Sequence, residues 1–316
     1  MKRFLIRACI LIAITLIVVV ARVISFNPAG FMHYTLQTMP RNNAANSACF
    51  KAKLDHIVKS ENFQRCSFLI AGSSMSLDNI SADVIQNRSG GKVYNISSWS
   101  LKPAQINGLM ETLRTDSVRY MLLAFNNWDF GRDGFNIDRQ AVHDYIYGNP
   151  AKKWWSVYKR FNLNTFSQDW SDHYTYSGIR NHYSSLNFDE YGCIPFEHEG
   201  FIISPKRWNA YKDTTGFEIF YNEISKLDNQ CKQRSIHLLV AYLPGRPGLL
   251  TPKNKLQNKI VSGRLQKLLG NRYVDLQGRM LPLNQFCDGI HLFHDGAVVL
   301  TTSLMDSLQA RQVNLQ

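Results

Sequence analysis

From Ala8 to Ala21 the chain carries no polar residue except Thr15, with Lys2, Arg3 and Arg7 before the run and Arg22 after it. Those fourteen residues suit a signal-peptide core, since a bilayer span needs about 20. Counted from Phe4 to Phe26 the stretch is long enough, because Arg7 and Arg22 lie near its ends and can snorkel. The pattern predicts an uncleaved signal anchor over residues 1–26. Cleavage after Val19-Val20-Ala21 and a buried helix are the alternatives. In the first two cases the basic start stays in the cytoplasm and the body is exported.

Residues 27–60 are polar and mixed, without an apolar period until a lead-in helix near 48–60. A βα rhythm then begins. Ser67 to Ala71 is a short apolar run ended by Gly72, as a strand buried on both faces requires. A helix-like stretch follows over Leu77–Gln86, then a strand over Lys92–Ile96. Pro103 opens a helix carrying Ile106, Leu109, Met110 and Leu113. Val118–Phe125 reads as the third strand. The rhythm resumes with Phe217, Phe220, Ile224, Leu227 and Cys231 at helical spacing, the strand Ile236–Tyr242, and a helix marked by Leu256, Ile260, Val261 and Leu265. It ends with the strand Tyr273–Leu276 and a helix over Ala297–Leu308. Five short strands alternating with five helices predict an α/β fold. It has a five-stranded parallel sheet, helices on both faces, and ligands at the carboxyl ends of the strands.

An insertion of about 131–214 interrupts this α/β body of 61–316. It is rich in aromatics (Trp154, Trp155, Tyr158, Trp170, Tyr174, Tyr176, Tyr183, Trp208). These either form a small core of their own or stack on sugar rings at the rim of the site.

Composition narrows the classes. The 316 residues are 45% hydrophobic and 19% charged, which excludes wholesale disorder and collagen. The mean hydropathy of −0.24 excludes a polytopic membrane protein. Lys and Arg number 36 against 24 Asp and Glu. Without the four basic residues of the anchor the body is near +8, a balance that favours anionic envelope polymers or lipid head groups, or simply keeps the surface soluble. The basic residues are scattered and no recognition motif accompanies them, so no nucleic-acid partner is expected. Six Cys without a CxxC pair exclude a zinc ribbon and thioredoxin-like chemistry, and require no disulfide.

Three short blocks carry candidate chemistry. Gly72-Ser73-Ser74-Met75 follows the first strand, where a hydroxyl projects toward the ligand side, although serines also make ordinary turns and caps. Asp288-Gly289-Ile290-His291 precedes the last helix. A carboxylate three residues before a His can accept its Nδ1–H and leave Nε2 free to take a proton from a serine. The rival is a metal site of Asp288, His291 and His294, with Glu197-His198-Glu199 weaker still. Asn126-Asn127 ends the third strand, where a side-chain amide can donate to an oxyanion.

Together the blocks resemble the SGNH (GDSL-type) hydrolase superfamily. Gly72-Ser73-Ser74 matches its first block, Asn126 the Asn of its third, and Asp288 with His291 its final dyad. The likeness covers about 67–130 and 216–308. It implies a flavodoxin-like three-layer sandwich, Ser74 as nucleophile, His291 as base, Asp288 as its orienter, and no cofactor. It also implies an oxyanion hole of Asn126 and the Ser98 backbone amide, with Asn127 as the alternative to Asn126. The N-terminal apolar segment and the Gly-Ser-Ser-Met run are most similar to the membrane-anchored extracytoplasmic branch, which includes D-alanine transfer and alginate O-acetylation proteins. That branch implies an esterase or O-acyltransferase acting in the periplasm, or otherwise outside the cytoplasmic membrane, on an envelope polysaccharide or acylated polymer. A multi-span membrane O-acyltransferase would be its partner. Three departures stand out: Ser73 replaces the Asp of the first block, Tyr94–Trp99 lacks the expected Gly, and Ala124-Phe125-Asn126-Asn127 replaces Gly-x-Asn-Asp. They leave room for a non-catalytic partner of such an acyltransferase that keeps the fold.

Overall fold

A computed structural model describes residues 2–26, 37–38, 44–131, 136–149, 151–152, 188–198 and 214–315. The N-terminal apolar run forms one helix, α1 (Lys2–Phe26), of which Lys2–Val20 has a mean hydropathy of 2.5 and is not buried against any of the described residues. It is long and apolar enough to cross a membrane. The body opens with α2 (Ala44–Lys59), which starts four residues before the lead-in helix the sequence predicts.

The alternating apolar runs become five strands: β1 (Phe68–Ala71), β2 (Val93–Asn95), β3 (Tyr120–Phe125), β4 (His237–Tyr242) and β5 (Tyr273–Asp275). All pair in parallel, in the order β2-β1-β3-β4-β5. Successive side chains of a strand point to opposite faces, and the core divides accordingly. Leu69, Ala71, Leu123, Phe125, Val240 and Tyr242 join one hydrophobic cluster. Phe68, Ile70, Leu122, Ala124, Leu239 and Ala241 join the other. The first cluster takes the apolar faces of α2, α5 (Pro103–Thr112), α7 (Phe217–Gln233) and α8 (Pro252–Leu269). The second takes α3 (Ser74–Asp78), α4 (Ala82–Ser89) and α9 (His294–Ala310). The α/β class, the parallel five-stranded sheet and helices on both faces follow the sequence pattern.

One predicted helix divides. Leu77–Gln86 is not continuous: α3 ends at Asp78, and α4 starts anew after its N-cap Ser81, whose hydroxyl accepts from the Val84 N–H. The break falls on Asn79, whose side chain is committed elsewhere in the fold.

Of the insertion, α6 (Arg139–Tyr147) buries Ala141 and Val142 against the first cluster, and the two-residue strands Gln37–Thr38 and Asn136–Ile137 pair antiparallel. Residues 188–198 pack across the ends of β2 and the final loop. The Asn95 N–H donates to the Tyr191 carbonyl at 2.7 Å, and the His294 N–H to the Phe196 carbonyl at 2.8 Å. Trp154, Trp155, Tyr158, Trp170, Tyr174, Tyr176, Tyr183 and Trp208 lie outside the described residues.

Candidate active site

The strand order reverses between β1 and β3, so the crevice beyond their carboxyl ends is where such a sheet binds ligands. Gly72 makes the turn out of β1, and a Cβ there would collide with the Ser76 side chain. That close approach lets the Ser76 hydroxyl reach across to β3, where it lies 2.8 Å from the Ala124 carbonyl and accepts the Ala124 N–H at 2.9 Å. α3 is thereby stitched over the switch point with Ser74 as its first residue. The two serines then separate by role. The Ser73 hydroxyl caps α3 by accepting the Met75 N–H at 3.2 Å. The Ser74 hydroxyl donates to Nε2 of His291, 2.9 Å away.

His291 is reached by the loop before α9. Its Nδ1–H donates to Asp288 Oδ2 at 2.7 Å. Asp288 Oδ1 accepts the backbone N–H groups of Ile290 and His291, each at 2.8 Å, which folds the four residues into a tight turn. Both imidazole nitrogens are thus engaged within the protein, so Asp288, His291 and His294 do not converge on a metal. Among the described residues no group of three or more His, Cys, Asp or Glu does so. Burial opposes the charge on His291, but the adjacent Asp288 carboxylate outweighs it and raises the histidine above its ordinary value. Asp288 moves the other way. Burial would raise it, yet the His291 charge and the donors around it hold it below the usual carboxylate range.

A second carboxyl, Asp78, sits at the far end of α3 with Oδ2 3.9 Å from His291 Nε2, and its Oδ1 finds no hydrogen-bond partner among the described residues. Burial pushes Asp78 up to about 8, against the pull of His291. Burial thus favours the neutral form of Asp78 beside the imidazole.

The loop that carries His291 is held by a residue the sequence reading passed over. Asn79 is fully buried. Its Nδ2 donates to the Ile290 carbonyl at 2.8 Å and its Oδ1 accepts the Leu292 N–H at 2.9 Å. One side chain, five positions after Ser74, thus grips the peptide on both sides of His291. Asn79→Ala would strand two buried backbone groups, at about 1–3 kcal/mol each, and free the imidazole to drift. A drift of about 1 Å is worth roughly a hundredfold in rate. The expected result is a fall in kcat of that order with KM little changed, measured below the variant's own unfolding temperature.

The oxyanion candidates part company. Asn126 follows β3 and is fully buried. Its Oδ1 accepts the Trp128 N–H at 2.9 Å and its backbone N–H donates to Asp129 Oδ2 at 3.0 Å. That cap turns Nδ2 the other way, where it is a buried donor without a partner among the described residues. Asn127 is spent: its Nδ2 donates to Asn258 at 2.9 Å and its Oδ1 accepts the Tyr242 hydroxyl. The Ser98 backbone N–H is spent too, on the Gly72 carbonyl at 3.1 Å, because β2 continues its parallel ladder beside β1 as far as that residue. Ser98 does not offer the amide expected of it. Removing one oxyanion donor typically costs about 10²–10³ in kcat. Asn126→Ala is expected to show that loss on a small ester, while Asn127→Ala lowers stability and leaves kcat close to normal.

Two further groups frame the site. Phe196 sets its ring edge-on to His291, centroids 6.3 Å apart. Lys53 of α2 is fully buried, donating to the carbonyls of Asn95 (2.9 Å) and Gly192 and lying 4.0 Å from the Phe188 ring. Burial draws Lys53 down to about 8. It pins 188–198 to the end of β2. A hydroxyl, an imidazole and a carboxylate in series can activate an oxygen nucleophile, and a buried side-chain amide such as that of Asn126, at the end of the neighbouring strand, is a candidate to receive negative charge on a carbonyl oxygen. A scan of protein-family models finds no match to this chain, nor does a search of curated proteins, so the geometry of its own residues carries the functional reading.

Proposed function

We propose that the protein is an extracytoplasmic serine esterase or O-acyltransferase acting on acyl esters of a cell-envelope glycan or polymer, held at the membrane by α1. The observation that carries this reading is the unbroken series from Ser74 to His291 at 2.9 Å and from His291 to Asp288 at 2.7 Å. The strand order β2-β1-β3-β4-β5 supports a flavodoxin-like three-layer sandwich and, with the site blocks, kinship to the SGNH hydrolases.

In this mechanism Nε2 of His291 takes the Ser74 proton as Oγ adds to the acyl carbonyl. Asp288 holds the imidazole tautomer and favours its charged form. The tetrahedral oxyanion is received by Asn126 Nδ2 and the Ser74 backbone N–H. Collapse breaks the bond to the leaving alkoxide, which takes the proton from His291, and the acyl group remains on Ser74. Water or a sugar hydroxyl then gives its proton to His291 and attacks the acyl-enzyme. The products are a free acid or a new ester. A multi-span acyltransferase partner would deliver the acyl group in the second case.

A fluorophosphonate probe tests the reading, since only an activated serine reacts quickly. Rapid labelling of the wild-type chain at Ser74, absent in His291→Ala, is expected. No labelling would favour the second reading, a non-catalytic glycan-binding or assembly partner of a membrane acyltransferase. The committed Ser98 amide is the observation on that side.

A further inference from the structure

Seven large hydrophobic side chains outside α1 are exposed among the described residues, and four of them lie on the segments that leave the carboxyl ends of β4 and β5. Leu256 (65% exposed) and Ile260 (60%) stand one turn apart on α8, while Met280 (87%) and Leu283 (63%) lie in the loop that leads to Asp288. β4 and β5 are neighbours in the sheet, but α8 packs on the first hydrophobic cluster and the segment from Leu276 to Phe286 on the second, so the Leu256–Ile260 pair is the one set among lysines on a single helix face. From Leu243 to Gln285 the sequence has eight basic residues and a single acidic one, Asp275. Arg264 and Arg272 are paired with Glu218 and Asp228. Lys253, Lys255 and Lys259, which surround Leu256 and Ile260, are exposed and meet no acidic partner among the described residues.

Exposed apolar side chains set among unpaired lysines on one helix face are the chemistry of an interfacial helix on an anionic bilayer. The chain also supplies the proximity. Ten residues separate Phe26 of α1 from Gln37, which pairs with Ile137 of the body, a reach of at most about 40 Å when fully extended. A surface too weak to bind membranes from solution is sufficient at the effective concentration such a tether imposes.

We infer that the Leu256–Ile260 face of α8, with the lysines around it, docks on an anionic phospholipid surface. That side of the body is then turned toward the bilayer that holds α1. The inference stands on exposure and charge and does not depend on the reaction at Ser74. Each lysine near such a surface contributes about fivefold to the affinity, so reversing three of them undoes the docking.

The test uses the full chain in nanodiscs. Cys9 is the one exposed cysteine among the described residues and the other five are buried. A Cys9→Ser, Leu256→Cys chain therefore takes an environment-sensitive fluorophore at one place. Discs of phosphatidylcholine alone are compared with discs containing about a third phosphatidylglycerol, each with spin-labelled lipid as quencher. The expected result is strong lipid quenching at 256 in the anionic discs only. It is lost at high salt or with Lys253→Glu, Lys255→Glu and Lys259→Glu together. A control label at Val299→Cys, on α9 across the sheet, stays unquenched. Three outcomes overturn the inference. One is no lipid quenching at 256. Another is equal quenching in both discs that survives the lysine reversals. The third is a label shielded from aqueous iodide without lipid quenching, which would show that another part of the chain, or a soluble polyanion, covers the face.

Discussion

Ser74→Ala is expected to lower kcat on a small acetyl ester by about 10⁵-fold, while the thermal unfolding midpoint stays within about 2 °C of wild type. The size of the effect follows from how the site is built. With Oγ gone, His291 has no proton to take and no atom stands where the acyl carbon must be met, yet Asn126 and the turn around Asp288 are untouched. The small change in stability follows from the place of Ser74. It is the partly exposed first residue of α3, whose cap is Ser73 and whose stitch to β3 is Ser76. Ser73→Ala is the comparison that fixes the register. It removes a helix cap, at about 1 kcal/mol, and leaves the Ser74–His291 contact in place. Steady-state rates and thermal unfolding of the two variants check this. Equal activity of Ser74→Ala and wild type would refute the nucleophile assignment.

Asp288→Asn carries the second large effect, a loss of about 10⁴-fold in kcat, together with a displaced pH profile. His291 must be neutral to act as base, so the rate falls on acidification through its pKa. In the wild type that pKa is raised, mainly because the Asp288 carboxylate outweighs the opposing effect of burial. The acidic limb therefore lies above the ordinary histidine value of about 6.5. Replacing the carboxylate with an amide removes the charge that favours imidazolium. The residual activity should have its limb moved to lower pH, because burial of the ring then dominates. An amide can also present its NH₂ to Nδ1 and hold the wrong tautomer, so the rate falls even where the histidine is neutral. Profiles of kcat/KM from about pH 5 to 9 separate the two effects. An unmoved limb would mean that Asp288 does not govern the His291 charge.

How much of this could be read from the chain depended on where each partner lies. The strands were legible because a strand buried on both faces reads as an unbroken apolar run, as in Phe68–Ala71 and Tyr120–Phe125. The serine and the Asp-x-x-His turn were legible as local motifs. Asp288 and His291 satisfy each other over three residues, and Gly72 marks the tight approach behind Ser74. The oxyanion residues were not. Asn126 and Asn127 are chemically equal in sequence, and what separates them is Tyr242 and Asn258, more than a hundred positions away. Nor can sequence show that the Ser98 amide meets the Gly72 carbonyl, since that depends on strand register. The helical reading of Leu77–Gln86 failed for a related reason. The apolar period continues through Ile80 and Ile85, but the chain is bent at Asn79, whose amide serves a loop some 210 residues downstream.

The placement of Lys53 has a mechanical side. The segment after α1 is held first by the pairing of Gln37–Thr38 with Asn136–Ile137 and then by α2. Lys53 projects from that helix, and its ammonium grips two carbonyls at once, Asn95 at the end of β2 and Gly192 in the segment that carries Phe196 toward His291. That helix is therefore coupled, through a single side chain, to both the sheet and the wall of the candidate site. A shift of α2 would thus be transmitted through one ammonium both to the end of β2 and to the segment that covers His291.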